Sequence, residues 1–529
     1  MGGRRIRTHL LSLGAGCFAI LLVAGLMTLP SGASARALTP GPGQTGHLTT
    51  TVAATYVPVS PSRITDTRTG SGYPNAGNTL GAGGSINVQV TGAGGVPTTG
   101  VTAVVVNVTV VGPTASSYVT LFPEGTTQPV VSNLDFTTGE TLANLATVPL
   151  GSQGGLTVYN YVGKVNVVVD VEGWYYTTTS QTSGLYNPVN PLRVLGTLAA
   201  GASIGPGVST AVTVAGVDGV PADASAVVAN LTVAGPSGPG YLTVCPAPTT
   251  GTPTPPTASN VNFTTGQVIA NRVIIPVGAN GVIEVYNNSG SVRVDVDLDG
   301  YYTGSAGELG SAYTPMSPVR VTDTRVGRNG STLGAGASES FSFLSEGLSA
   351  TATALVANVT VVAGAAAGYL TVYPTTDSAP PAASDANFTA NSIVQSFALA
   401  PLNRGGTYLF NSSAVPENIV IDAFGFFSPP PPAVTVTGDP TSVPADGATT
   451  SAITVTVTTG SGVAFNDPVT LTTTPSVAGS CGTATAPGST NAAGQVTSTY
   501  TASNTAGTCT ITATEANQGT MGTVIITQM

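Results

Sequence analysis

Between about Tyr56 and Thr178 the chain is a succession of short Val- and Thr-rich runs. They are Ser85–Val90, Ala103–Val111, Tyr118–Phe122, Leu145–Leu150, Leu156–Tyr159 and Lys164–Tyr176, separated by Gly, Pro and Asn. Some alternate apolar with polar residues, others are continuous, and none has a convincing helical period. Runs of this length, rich in β-branched residues and bounded by turn formers, predict strands. Eight or so at this spacing predict an all-β fold, an antiparallel sandwich of Greek-key or jelly-roll type.

The pattern returns twice. Ala103-Val-Val-Val-Asn107-Val-Thr-Val110 recurs as Ala226-Val-Val-Ala-Asn230-Leu-Thr-Val233 and as Ala354-Leu-Val-Ala-Asn358-Val-Thr-Val361, at steps of 123 (230 − 107) and 128 (358 − 230) residues. A second phrase keeps step with the first. It reads Val167-Val-Val-Asp170-Val-Glu-Gly173-Trp-Tyr175, then Val294-Asp-Val-Asp297-Leu-Asp-Gly300-Tyr-Tyr302, then Ile419-Val-Ile-Asp422-Ala-Phe-Gly425-Phe-Phe427. Residues 56–178, 186–304 and 313–428 are therefore three copies of one β module. The period is several times that of solenoid repeats, so whole domains in tandem are expected. Arg63, Arg193 and Arg320 correspond, as do Asn160, Asn287 and Asn411, and Phe136, Phe263 and Phe388.

After a Pro linker at 429–432 the pattern changes. Ala452–Thr458, Pro468–Thr472, Gln495–Tyr500 and Thr508–Ala513 alternate with period two, and residues 433–529 have the length of an immunoglobulin-like sandwich. At the other end, residues 1–37 read as a signal peptide or N-terminal anchor: Arg4-Arg5-Ile-Arg7, an apolar run from Leu10 to Leu29, and small residues at Ala33, Ala35 and Ala37. Residues 38–55 form a Pro/Gly/Thr spacer.

Composition narrows the function. Only 7% of residues are charged, against the ~25% usual in soluble domains. Four of the 14 basic residues lie in the leader, so a chain cleaved after Ala37 keeps 10 basic and 24 acidic residues, a net charge of −14. Nucleic acid needs a basic footprint and is an unsuitable partner. A membrane contact is expected only through the N-terminal apolar segment if it is retained. The two histidines, His9 and His47, lie outside all three modules. A Ser-His-Asp or Cys-His arrangement cannot be built inside them, and no enzyme activity or cofactor is expected.

Candidate chemistry is confined to a few residues. Arg63/Asp170, Arg193/Asp297 and Arg320/Asp422 are expected as internal ion pairs, because an Asp in an apolar strand needs a partner. Asp66/Arg68 and Asp323/Arg325 are candidate binding residues that module two lacks, having Arg193-Val-Leu-Gly-Thr197 in their place. Asp295, Asp297 and Asp299 alternate along a strand and are candidate calcium ligands, although Ala306 stands where a calcium loop would have Glu. Asn107, Asn230 and Asn358 match a glycosylation pattern, but their strand positions favour bonding to backbone groups of a neighbouring loop. Cys481 and Cys509 are the plausible disulfide pair, and Cys245, in register with Phe122 and Tyr373, is expected as a buried apolar substitute.

Two resemblances add to this. Val443-Pro-Ala-Asp446-Gly447, Asn491-Ala-Ala-Gly494-Gln495-Val496 and Gly507-Thr-Cys-Thr-Ile511-Thr-Ala513 make residues 433–529 resemble the bacterial immunoglobulin-like domains of invasin and intimin adhesins. That implies a stalk or spacer at a cell surface. The phrases Pro61 to Arg68 and Pro318 to Arg325, with Asn-x-Thr-Val and Asp-x-x-Gly-Tyr-Tyr, make the modules similar to a repeat common in exported actinobacterial proteins. The resulting expectation is a secreted or cell-surface bacterial protein, non-catalytic, acting in adhesion or structural display. Its partners would be cell-wall or environmental glycans or surface proteins. The alternatives are a carbohydrate-binding protein using Trp174-Tyr175-Tyr176, Tyr301-Tyr302 and Phe426-Phe427, or a self-assembling surface-layer component.

Overall fold

The computed structural model describes residues 54–529 apart from 178–182, 218, 306–308, 363, 382, 431, 460–461, 464–465 and 517–518. The leader expected at 1–37 and the spacer as far as residue 53 lie outside the described residues. What is described is almost entirely strand, with helical structure in single short turns such as Thr197–Ala200.

Module one forms β1 (Ala54–Asp66), β2 (Ser85–Gln89), β3 (Val101–Val111), β4 (Ser117–Pro123), β5 (Leu134–Phe136), β6 (Thr141–Pro149), β7 (Gly155–Asn160) and β8 (Asn166–Thr177). One sheet has the order β1-β8-β3-β6 and the other β2-β7-β4-β5. All pairings within the module are antiparallel. Eight strands laid alternately into two sheets in this order make a jelly roll, which decides between the two sandwich types that the sequence leaves open.

Module two repeats it with β9 (Tyr186–Gly196), β10 (Val208–Thr213), β11 (Ala226–Ala234), β12 (Gly240–Pro246), β13 (Val261–Phe263), β14 (Val268–Pro276), β15 (Val282–Asn287) and β16 (Arg293–Tyr302). Module three does so with β17 (Ala312–Asp323), β18 (Ser338–Ser342), β19 (Ala354–Val362), β20 (Gly368–Pro374), β21 (Ala386–Phe388), β22 (Ile393–Pro401), β23 (Gly406–Asn411) and β24 (Asn418–Ser428). Their sheets follow the same order, and Ala54 pairs with Tyr313 to join the inner sheets of modules one and three.

Each sandwich encloses its own core, built in module one from Val104, Val106, Val108, Val119, Leu121, Phe136, Leu156 and Val169. Phe263 and Phe388 occupy the place of Phe136 in the cores of modules two and three. A further core belongs to no single module. Ala103, Val105 and Leu145 meet Ala226, Val228 and Ile274, and both meet Ala354, Val356, Phe397 and Leu399. The three inner sheets thus turn their second faces toward one another, and β6, β14 and β22 touch pairwise around a common centre. That arrangement explains why β3, β11 and β19 are apolar almost without alternation. A strand buried on both faces has no solvent side to be polar.

The last domain is a separate two-sheet sandwich. One sheet holds Ala433–Asp439, Thr450–Thr459, Gln495–Thr501 and Thr483–Ala484, and the other Ser442–Val443, Met521–Gln528, Gly507–Glu515, Pro468–Pro475 and Gly488–Ser489. Ile453, Val455, Tyr500 and Ile511 fill it, beside a disulfide between Cys481 and Cys509.

Candidate functional site

The residues that recur between modules converge mainly on the surfaces where the modules meet. Tyr56, Tyr186 and Tyr313 open the modules, and each lays its ring on the glycine of the second phrase. A Cβ on Gly173 would fall 2.1 Å from the Tyr56 hydroxyl, and one on Gly300 would fall 2.5 Å from the Tyr186 ring. Only glycine admits this approach. The Tyr56 and Tyr313 hydroxyls donate to the carbonyls of Glu172 (2.9 Å) and Phe424 (2.8 Å).

These tyrosines alternate with Tyr175, Tyr302 and Phe427 in a closed ring of six buried aromatics. Successive centroids lie 5.1 Å apart for Tyr56–Tyr175, 4.3 Å for Tyr175–Tyr313 and 5.5 Å for Tyr313–Phe427. The ring closes at 4.6 Å for Phe427–Tyr186, 5.5 Å for Tyr186–Tyr302 and 4.4 Å for Tyr302–Tyr56. The Tyr175 and Tyr302 hydroxyls bond to each other at 2.6 Å. Phe427, the third of that inner set, brings no hydroxyl to be satisfied in the dry centre. The strand-end aromatics Tyr175, Tyr302 and Phe427 are therefore junction residues, and no glycan can reach them.

A cyclic set of polar contacts surrounds the ring. Asn107 Nδ2 donates to the Ser259 carbonyl of module two (2.6 Å), Asn230 Nδ2 to Ser384 of module three (2.6 Å), and Asn358 Nδ2 to Ser132 of module one (2.9 Å). Each of the three asparagines is about 1% exposed, so the glycosylation pattern is sterically closed. The interfaces also carry buried groups that differ from one to the next. Between modules one and two, Glu172 accepts from Asn260 Nδ2 (2.6 Å) and from the Ile274 N–H (3.0 Å), and burial pushes its carboxyl up to about 8. Between modules two and three, Arg272 binds Asp299 (2.9 Å), Asp385 (2.5 Å) and the Phe397 carbonyl (2.8 Å). Burial and the competition of two carboxylates for one guanidinium raise Asp299. The register position of Glu172 and Asp299 is taken by Phe424 in module three.

The recurring Arg–Asp sets have all their charges engaged. Arg63 Nε lies 2.8 Å from Asp170, Arg193 Nε 2.8 Å from Asp297, and Arg320 Nε 2.9 Å from Asp422. Asp66 is clamped by Arg68 through the side chain (2.5 Å) and backbone N–H (3.1 Å), with Arg63 3.6 Å away. Asp323 is held in the same way by Arg325. Burial acts to raise both acids, but the arginine hydrogen bonds outweigh it and both titrate below the ordinary range. The candidate binding residues Asp66, Arg68, Asp323 and Arg325 thus spend their charges on one another.

Asp295, Asp297 and Asp299 do share the face of β16 opposite the module core, but arginines occupy their oxygens. Arg193 bridges Asp295 (2.8 Å) and Asp297 (2.8 Å), while Asp299 belongs to Arg272. Among the described residues, no set of three His, Cys, Asp or Glu side chains is arranged to hold a metal. Asn160, Asn287 and Asn411 are wholly buried and each donates to three carbonyls, Asn160 to those of Leu80, Gly81 and Gly163. Cys245 is buried, and its thiol is pushed up to about 11 by that burial.

Three features of these surfaces are not foreseen from the phrases alone: the aromatic ring, the cross-module asparagine contacts and the Arg272 cluster. No family model matches the chain, and the curated proteins include no match to it.

Proposed function

We propose that the chain is a non-catalytic exported protein of the bacterial surface or extracellular space, acting in adhesion or structural display. In this reading the three jelly rolls form one rigid head and the last sandwich serves as stalk. The observation that carries it is the fate of the recurring charged residues. Every Arg–Asp set repeated among the modules is consumed in internal pairs, so what recurs supports architecture and not turnover. The outer sheets, faced with Ser, Thr, Asn and aromatic side chains, are left for contact. The disulfide in the stalk suits an oxidising compartment.

The test is protease shaving of intact cells that produce the chain, with mass spectrometry of the released peptides and of the culture medium. Peptides of the head should appear in the shaved or secreted fraction, with Cys481 and Cys509 protected from thiol alkylation until reduction. Recovery only from the cytosol, with both thiols free, would remove the reading.

A further inference from the structure

The outer sheet of module two carries a groove of about 390 Å³ that is chemically unlike its counterparts. Its floor is β15, where Ile283 and Val285 point into the sandwich core and Glu284 and Tyr286 point out. Gly207, Ser209 and Ala211 form one wall, and Thr252, Pro253 and Pro255 of the loop after β12 form the other. The size falls within the range of small-molecule sites.

Glu284 is the unusual member. It is 8% exposed, yet it accepts no hydrogen bond from any described residue. Its strand neighbours are Ala211 on one side and Cys245 on the other; alanine has no donor and the Cys245 thiol, a weak donor, makes no hydrogen bond to it. The equivalent positions are settled differently. In module one Thr157 donates to Asn87 Oδ1 at 2.9 Å, and in module three Tyr408 packs on Tyr373 with centroids 5.3 Å apart. The Glu284 carboxylate oxygens are not among the fully buried unpaired atoms; the side chain is packed along its length and its oxygens open into the groove as free acceptors.

We propose that this groove binds a neutral hexopyranose ring, free or as one unit of a glycan. The C–H face of the sugar lies on Tyr286 and the prolines, two adjacent hydroxyls donate to the Glu284 carboxylate, and Ser209 and Thr252 supply hydroxyls at the rim. A carboxylate offers two acceptor oxygens, which a pair of neighbouring sugar hydroxyls matches. A single tyrosine does not make the aromatic cage by which quaternary ammonium groups are held. Burial also raises Glu284, which favours a neutral hydroxylated partner that can donate to it. The site is distinct from the strand-end aromatics, and it stands or falls independently of surface display.

The test uses the full chain and a panel of methyl hexopyranosides and neutral hexose trimers, read by saturation-transfer NMR and calorimetry. At least one should bind at about millimolar affinity or better. Glu284→Thr, which installs the module-one residue, and Tyr286→Ala should each weaken it at least tenfold, roughly the loss of one charge-assisted bond or one stacking face. Tyr159→Ala, at the matching place in module one, should leave binding unchanged, and thermal melts should show all three variants folded. No saturation by any sugar at tens of millimolar would overturn the proposal. So would equal binding by folded Glu284→Thr, or binding of methylammonium in place of the sugars.

Discussion

Asp295 lies 2.8 Å from Arg193 and directly across the strand pair from Gly196. In module one the same two places hold Val168 and Asp66, and in module three Val420 and Asp323. The acid has changed strands. Each module gives its recurring arginine two carboxylates, one from the last strand and one from a neighbouring position, and module two supplies the second from the opposite side. This accounts for the sequence feature that sets module two apart, the missing Asp-Thr-Arg phrase.

The exchange predicts a rescue. Asp295→Val should cost about 1 kcal/mol, since Arg193 is partly exposed and retains Asp297. Adding Gly196→Asp should restore most of it. A Cβ at Gly196 meets only the flexible Arg193 side chain, at 3.1 Å. The new carboxylate would face the Leu198 N–H, which now donates to Asp295, as Asp66 faces the N–H of Arg68. Urea denaturation of the single and double variants checks this. A double variant no more stable than Asp295→Val would refute it.

A second prediction comes from a broken cycle. Asn271 Nδ2 donates to Asn107 Oδ1 (2.9 Å), and Asn144 Nδ2 donates to Asn358 Oδ1 (3.0 Å). The third member should act on Asn230, but Ser396 stands there, and Asn230 Oδ1 is left buried without a partner. Ser396→Asn should supply the donor and raise stability by about 1 kcal/mol. A fall in melting temperature would show that the cavity around Ser396 does not admit the longer side chain.

Glu172 gives the three-module unit a pH dependence. Its carboxyl is raised to about 8 in the folded chain by burial, against roughly 4.3 when unfolded. Between those values the folded state binds more protons than the unfolded one. Stability is therefore greatest below the lower value and falls as pH rises through the upper, by at most about 1.4 kcal/mol per pH unit from this group. Asp66 and Asp323, which are lowered, act oppositely and only at more acid pH. Glu172→Gln should make the decline between about pH 5 and 8 less steep, whatever it does to absolute stability, while Asp135 and Asp299, also raised by burial, keep part of it. Parallel pH profiles of the variant and parent would contradict this.

Much of the fold is legible in the residues. The Val- and Thr-rich runs give the strands, and the paired phrases give the triplication. Asp170, Asp297 and Asp422 in apolar strands point to the arginines that meet them. Where the modules meet is harder to read, because contacts between copies leave no periodic trace. The available signal is the run Ala103–Val106, which lacks the alternation of a sheet with one wet face, and the aromatic pair closing each module. Both say that a second face is buried, but not by what. The Arg272 cluster and Glu172 occur once each, so internal comparison cannot raise them above other charged residues. The Glu284 groove is invisible for a similar reason: in the sequence it is one acid in an alternating strand.

Because the three jelly rolls share one core, they should open together. Hydrogen exchange of the full chain carrying Tyr302→Ala tests it most directly. Tyr302 belongs to module two but touches Tyr56 of module one and lies 6.2 Å from Phe427 of module three. Faster exchange is expected along the axis-facing strands Thr141–Pro149 and Ile393–Pro401 as well as Val268–Pro276. Loss of protection confined to module two, with modules one and three unchanged, would mean that the jelly rolls are independent domains and would contradict the shared core.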